Sequence, residues 1–239
     1  MTVAPTSAHP GRHEHGVRWV PLVAAFVLGG LLVALVYHFS GSSSSTTTGS
    51  GVPAVETRNV PAFHAVELAG ANNVAIHVGG TQSVVVRADR NLIGRVTTEV
   101  HSGTLVVGNT AGSFQTKAPT GVEVTVPTLE ALTLSGSGNI VVDGVDTDSL
   151  TVSLPGSGTL TANGTATKLD ATVGGSGSVM FAGLTAQDVH AVVSGSGTIF
   201  VTATGSLDAA VPGSGSVIYA GSPQAVTKSV TGSGTIVGG

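Results

Sequence analysis

Three groupings in this chain carry residue types that could do chemistry. The first is a serine between two glycines, Gly-Ser-Gly, which recurs six times with its first glycine at Gly136, Gly156, Gly175, Gly195, Gly213 and Gly232. A glycine-rich loop can cradle phosphate, but it needs a helix N-terminus behind it, and here a strand pattern follows every copy. A nucleophilic serine needs the G-x-S-x-G elbow or a base beside it; the repeat has neither. The second grouping is Asp143, Asp146 and Asp148 in one short run, Asp-Gly-Val-Asp-Thr-Asp. Calcium takes several oxygens, yet the spacing matches neither an EF-hand nor the nonapeptide calcium repeat, and an ordinary solvated turn is the plainer reading. The third is Asp170, His190 and Asp208, each five residues before a triplet in successive repeats. If the repeats stack, these form an Asp-His-Asp column. That column is either a ladder of alternating charge that helps fix register or a metal or catalytic group.

Composition narrows the choice. Polysaccharide hydrolases need carboxylates at catalytic distance, and lyases need a base, often with Arg or Lys. The regular repeats offer Lys168 and Lys228 as their cations, and their remaining carboxylate is Asp188. Cysteine is absent, which excludes disulfides, Cys-ligated zinc and a thiol nucleophile. Nine Lys and Arg against thirteen Asp and Glu leave no basic surface for nucleic acid. Charged residues make up 9% of the chain, against about 25% in ordinary domains. Glycine, serine and threonine take their place. His9, His13 and His15 lie in a stretch whose Pro and Gly give no frame for a metal. Neither an enzyme nor a cofactor is expected.

The elements that position these residues follow from the repeat. The triplets are 20, 19, 20, 18 and 19 residues apart, and a period near 19 indicates a solenoid. Two residues before the first glycine stand Leu134, Leu154, Val173, Val193, Val211 and Val230; four before it, Leu132, Val152, Ala171, Ala191, Ala209 and Lys228. Four residues after it stand Ile140, Leu160, Val179, Ile199, Val217 and Ile236; six after it, Val142, Ala162, Phe181, Val201 and Tyr219. A spacing of two is the strand period. Each unit therefore reads as a short strand, the triplet bend, a second strand, and a turn marked eight residues on by Gly144, Gly164, Gly183 and Gly221, with Ala203 the exception. Such units bury their apolar side only when stacked, which predicts an all-β parallel β-helix over 52–239. The paired glycines (Gly136 and Gly138, Gly156 and Gly158, Gly175 and Gly177, Gly195 and Gly197, Gly213 and Gly215, Gly232 and Gly234) are expected to face a pinched interior. The serines between them should form an outward ladder. Residues 52–130 read as less regular coils of the same kind, with Leu68-Ala-Gly-Ala-Asn-Asn-Val74 a degenerate copy of Leu134-Ser-Gly-Ser-Gly-Asn-Ile140.

Ahead of the repeats, Trp19–Tyr37 is nineteen residues without a charge, about 29 Å as a helix and close to bilayer thickness. Arg12 and Arg18 precede it and no Lys or Arg follows until Arg58, so the positive-inside rule predicts an uncleaved signal anchor over 19–39, with a 1–18 cytoplasmic tail and the repeats outside. The apolar run is longer than a cleaved signal peptide's usual core. Residues 40–51, rich in Ser, Thr and Gly, read as a flexible linker.

The ordered set Phe63-x-x-Val66-x-Leu68-x-Gly70, Val84-Val-Val-x-Ala-Asp89-x-Asn91-Leu92, Thr98-Glu99-Val100 with Gly103-Thr-Leu105, and Val124-Thr-Val-Pro127-x-Leu129 leads into the triplets. This set resembles the putative auto-transporter adhesin, head GIN domain family. The resemblance implies a right-handed, single-stranded β-helix and an adhesive role, with no assigned catalytic residues. The expectation is a membrane-anchored cell-surface module that presents a surface without catalysis, for a glycan, an envelope protein or a second copy. The alternatives are a carbohydrate-processing β-helix enzyme and a structural spacer in the envelope. A candidate interface lies five residues after the first glycine: Val141, Thr161, Met180, Phe200, Ile218 and Val237. Alternation sends these outward, yet five of the six are apolar, beside a polar row of Asn139, Thr159, Ser178, Thr198, Ser216 and Thr235. The last coil is expected to offer an unpaired edge.

Overall fold

The structure, a computed structural model, describes residues 46–239, and Ser44–Gly239 form one compact unit. It is an all-β solenoid of about five turns, 2% helical. Among the described residues no helix is long and apolar enough to cross a membrane. The expected tail and the 19–39 anchor lie outside the described residues.

The N-terminal half contributes β1 (Thr47–Thr48), β2 (Pro53–Thr57), β3 (Ala65–Leu68), β4 (Asn73–Val78), β5 (Ser83–Asp89), β6 (Val96–His101), β7 (Thr104–Asn109), β8 (Phe114–Gln115) and β9 (Gly121–Val126). The repeats contribute β10 (Ala131–Leu134), β11 (Asn139–Leu154), β12 (Thr159–Val173), β13 (Ser178–Val193), β14 (Thr198–Val211), β15 (Ser216–Gly221), β16 (Ala225–Val230) and β17 (Thr235–Gly238).

Every strand pair between successive repeats is parallel, and equivalent residues face each other. Ile140 pairs with Leu160, Leu160 with Val179, Val179 with Ile199, Ile199 with Val217, and Val217 with Ile236. The rows two before and four after the triplet are fully buried from Leu134 to Val217. Each such Leu, Ile or Val is worth about 1.5–3 kcal/mol relative to exposure. A further inward row, Leu150, Leu169, Val189 and Leu207, closes the core on a third side.

The coil departs from two short strands per unit. β11 to β14 run 14–16 residues each, straight through the glycine-marked corner. In a parallel stack the corner residues still bond to the coil beneath, so the ladder need not stop there. Gly144, Gly164 and Gly221 turn the corner with φ of +78°, +124° and +93°, a region that favours glycine. Register shifts sit at this corner, after Val142, Thr161 and Met180, and one more lies beyond it between Ala186 and Asp188. Coil length therefore varies between 18 and 20 residues at the corner and just after it, while the triplets stay in register.

At the triplet the stack is tightest along its own axis. A Cβ on Gly156, Gly175, Gly195, Gly213 or Gly232 would collide with the carbonyl oxygen of the first glycine in the coil beneath. On the second glycines it would strike the corresponding second carbonyl and the Leu or Val side chain below: Leu134 under Gly158, Leu154 under Gly177, Val173 under Gly197. The room is thus taken chiefly by the neighbouring coil's backbone, not by the opposite wall of the same coil. None of the twelve needs a left-handed φ. The intervening serines, Ser137 to Ser233, are all exposed, and their N–H groups continue the ladder, as in Ser157 to Gly136 O at 3.1 Å and Ser196 to Gly175 O at 3.1 Å.

Residues 52–130 differ from the expected run of coils. β3 and β4 do form a coil beneath β10 and β11. The chain then folds back under that coil: β7 and β9 pair with β3 and β4 in parallel, and are edged by antiparallel strands, β6 on β7 and β5 on β9, with β2 on β5. This closes the N-terminal end of the core over Val84, Val86, Val107 and Val124. Asn72 stands where later coils have their second glycine. No triplet lies beneath it, so a side chain fits, and its amide donates to Gly108 O at 3.2 Å and Asn109 Oδ1 at 3.0 Å. The Ser/Thr-rich run is also engaged earlier than residue 52, because β1 pairs with β8.

Candidate functional site

The row five residues after the first glycine is continuous. Val85 faces Glu123, followed in register by Ala75, Val141, Thr161, Met180, Phe200, Ile218 and Val237. Val141, Met180 and Val237 are 46%, 40% and 53% exposed, while Thr161, Phe200 and Ile218 are half-buried by their neighbours. From Val141 to Val237 the row covers five coil steps, about 24 Å at the usual strand spacing. The adjacent row is hydrogen-bonded along its length at two points: Asn139 Nδ2 donates to Asn73 Oδ1 at 3.0 Å, and the Ser216 and Thr235 hydroxyls lie 3.0 Å apart. The face is therefore an apolar stripe beside a hydroxyl and amide stripe.

At its N-terminal end this face sinks into an open groove of about 570 Å³, lined by Asn73, Asn139, Val141, Thr159, Arg87 and Glu123, among others. The small residues Ala75 and Gly121 leave the hollow. Arg87 donates to Glu123 through Nε at 3.0 Å and Nη2 at 3.2 Å. That hydrogen-bonded pair raises the Arg87 pKa above its ordinary value and lowers that of Glu123. Sequence reading missed the pair, because it depends on the antiparallel register of β5 on β9, which no repeat announces.

The column Asp170, His190, Asp208 is in register on β12, β13 and β14. His190 Nδ1 lies 3.4 Å from Asp208 Oδ2, both about half exposed. The flanking Asp188 accepts from Ser206 Oγ at 2.6 Å. Asp143 is held by Asn163 Nδ2 at 2.6 Å and lies 3.8 Å from His77 Nδ1, so it is turned along the coil stack. Among the described residues no three His, Asp or Glu side chains gather as a metal site. Asp143, Asp188 and His190 each meet a side chain on an adjoining coil.

Asp89 is a buried carboxylate with a structural task. It accepts from Lys117 N at 2.9 Å, Ala118 N at 3.2 Å and Gly51 N at 2.6 Å. The Lys117 hydrogen bond leads in lowering its pKa below the usual carboxylate value, against the opposing effect of burial. Asn91 adds bonds from Ser50 N at 2.8 Å and to Thr48 O at 2.9 Å. Together they strap residues 48–51 to the cap, which gives the Asp89-x-Asn91 pair of the sequence a physical reason.

The fold recurs in solved structures. A putative adhesin from Bacteroides fragilis aligns at 25% identity with a TM-score of 0.66, over 80% of this chain and 99% of that one. A putative lipid binding protein from Parabacteroides distasonis aligns at 20% identity and a TM-score of 0.53, over 82% and 100%. A putative adhesin from the same species aligns at 22% and 0.52, over 82% and 100%. A comparison with curated proteins finds no match. The family model for the putative auto-transporter adhesin, head GIN domain, matches residues 62–223, more than half of the chain, from the β3 coil through β15; the protein belongs to that family.

Proposed function

We propose that this chain is a cell-surface interaction module: a right-handed β-helix held outside the membrane by the 19–39 anchor, which works by presenting its apolar row and performs no catalysis. The observation that carries this reading is the in-register stripe of Val141, Met180, Phe200, Ile218 and Val237 on the outside of a solenoid whose inner rows are already filled. A stripe of this kind, rimmed by hydroxyls, marks a contact surface. It is self-complementary: two copies related by a two-fold axis bring apolar row to apolar row and leave the Thr and Ser rows at the rim. The adhesin family and the adhesin from Bacteroides fragilis support the same reading. The groove at the end of the row favours a glycan as the second ligand. Its Asn73 and Asn139 amides and the Arg87–Glu123 pair supply hydrogen-bonding groups beside the apolar Val141.

The test is light scattering on the compact unit Ser44–Gly239, whose core is internal to it, and on a Met180→Ser, Phe200→Ser, Ile218→Ser triple variant. The wild-type unit is expected to dimerise with rising concentration and the variant to stay monomeric. A wild-type unit that remains monomeric at high concentration contradicts lateral pairing. Glycan-array binding lost on Asn139→Ala would then carry the second reading alone.

A further inference from the structure

Around the coil the outward residues divide by charge. The columns five and seven residues before the triplet hold Asp170, His190 and Asp208, and Lys168 and Asp188. The columns one, three and five residues after its first glycine hold no ionisable residue in any repeat. These three lie side by side: the exposed serines, then Asn139, Thr159, Ser178 and Thr198, then the apolar row. Parallel pairing sets equivalent groups on successive coils, about 4.8 Å apart. One coil beneath Asn139 and Val141 the pattern continues with Asn73 and Ala75. One coil further down, Glu123 stands in register with Ala75 and is held by Arg87 at 3.0 and 3.2 Å. The groove of about 570 Å³ is therefore the N-terminal stretch of these columns, hollowed over Ala75 and stopped by the Arg87–Glu123 pair.

A ligand that makes the same contact on each coil must itself repeat, carry no charge, and offer apolar and hydroxyl groups side by side. An unbranched neutral polysaccharide does so. Each ring has an apolar C–H face and an edge of hydroxyls, and the advance per sugar in an extended chain is of the same order as the coil spacing of about 4.8 Å. A polyanionic glycan would find no cation along these columns. We propose that the groove and the columns are one track, on which a neutral polysaccharide lies along the solenoid axis with its terminal sugar in the hollow over Ala75. This rests on the glycan reading of the groove and deepens it. Hydroxyls of the terminal sugar donate to Glu123 and accept from Arg87. The following sugars set their C–H faces on Val141, Met180 and Phe200 and their hydroxyl edges on Thr159, Ser178 and Thr198. Stacked repeats extend such a surface coil by coil. A chain that reaches beyond the groove covers the surface used for lateral pairing, so the two exclude each other.

The probes are cello-, manno- and chito-oligosaccharides of two to six sugars, titrated by calorimetry into the unit Ser44–Gly239 at concentrations too low for it to pair. In at least one series the affinity is expected to rise with each sugar up to five, the number of row positions from Ala75 to Phe200. The rise should total about tenfold or more. Added salt should change it little, and oligogalacturonates of equal length should bind about tenfold more weakly or worse. Met180→Ser with Phe200→Ser should bring the five-sugar affinity down to that of the two-sugar probe, which itself stays unchanged. Glu123→Ala should weaken every length by a similar factor, because all lengths share the terminal sugar. Thermal melts within a few degrees of wild type show that the variants are folded. Affinity that is already complete at two sugars overturns the track and leaves the groove reading standing. Five-sugar affinity untouched by the double serine change does the same. No binding by any series overturns both.

Discussion

Adjacent glycines give the sharpest check on how the coils stack. Gly174 and Gly175 are neighbours, both without a left-handed φ, yet their surroundings differ. A Cβ on Gly174 would find Ser194 Oγ at 3.8 Å and Pro155 Cα at 3.9 Å, ordinary contacts. On Gly175 it would lie 2.5 Å from Pro155 O and 2.9 Å from Gly156 C, and closer still to Gly156 O. Those are backbone atoms of the coil beneath and cannot swing aside. Relief requires the coils to part, which strains the bonds from Gly174 N and Gly175 N to Leu154 O at 3.1 and 3.2 Å and from Ser176 N to Gly156 O at 3.2 Å. Each bond is worth about 0.5–1.5 kcal/mol net, and overpacking adds about 1–3 kcal/mol. Gly175→Ala should therefore cost about 3–6 kcal/mol. For a unit of this size that lowers Tm by about 10–20 °C. Gly174→Ala should stay within about 0.5 kcal/mol of wild type or gain slightly, because alanine restricts the unfolded chain. Circular-dichroism melts and urea titrations of Ser44–Gly239 read both. Equal effects at the two positions would refute the axial-stacking explanation of the triplet.

Further outcomes concern the strap, the core and the exposed pair. Asp89 has a folded pKa below its unfolded one, so its stabilisation is present above about pH 4 and is lost as pH falls through the folded value. Asp89→Asn should lower Tm at pH 7 by several degrees and flatten the acid limb of a Tm-against-pH series. Phe181 is fully buried and Met180 beside it is 40% exposed. Phe181→Ala should cost about 3–5 kcal/mol and Met180→Ala under about 1 kcal/mol, compared by urea titration of the triple-serine parent for the first and of wild type at low concentration for the second. Arg87→Ala breaks a pair that is half exposed on both sides, so its effect on stability should be small, read as a urea midpoint close to that of wild type. A larger loss would mean that the groove wall is a structural support.

The regular coils were legible because burial and stacking impose the same residue types at the same places every 18–20 residues. Leu134, Ile140 and their equivalents reveal the inner rows through a period of two, and the triplets reveal the register. The corner was less legible: a glycine eight residues on signals a turn, but whether the ladder continues through it depends on the coil beneath. The cap was not legible as a topology. Val84, Val86, Leu105 and Val107 show strand alternation, and nothing in alternation distinguishes antiparallel closure from one more parallel coil. The Asp89 strap, the Arg87–Glu123 pair and the Asn72 amide follow from that closure, so they too became visible only in three dimensions.

The proposed function rests on the outer row at Met180, Phe200 and Ile218 being the surface that the protein presents. The most direct measurement is adhesion of cells displaying the full-length chain, compared at matched display with cells displaying the Met180→Ser, Phe200→Ser, Ile218→Ser variant. Wild-type cells are expected to aggregate or adhere, and the variant to lose this while melting at a similar temperature. Equal adhesion by the two would contradict it.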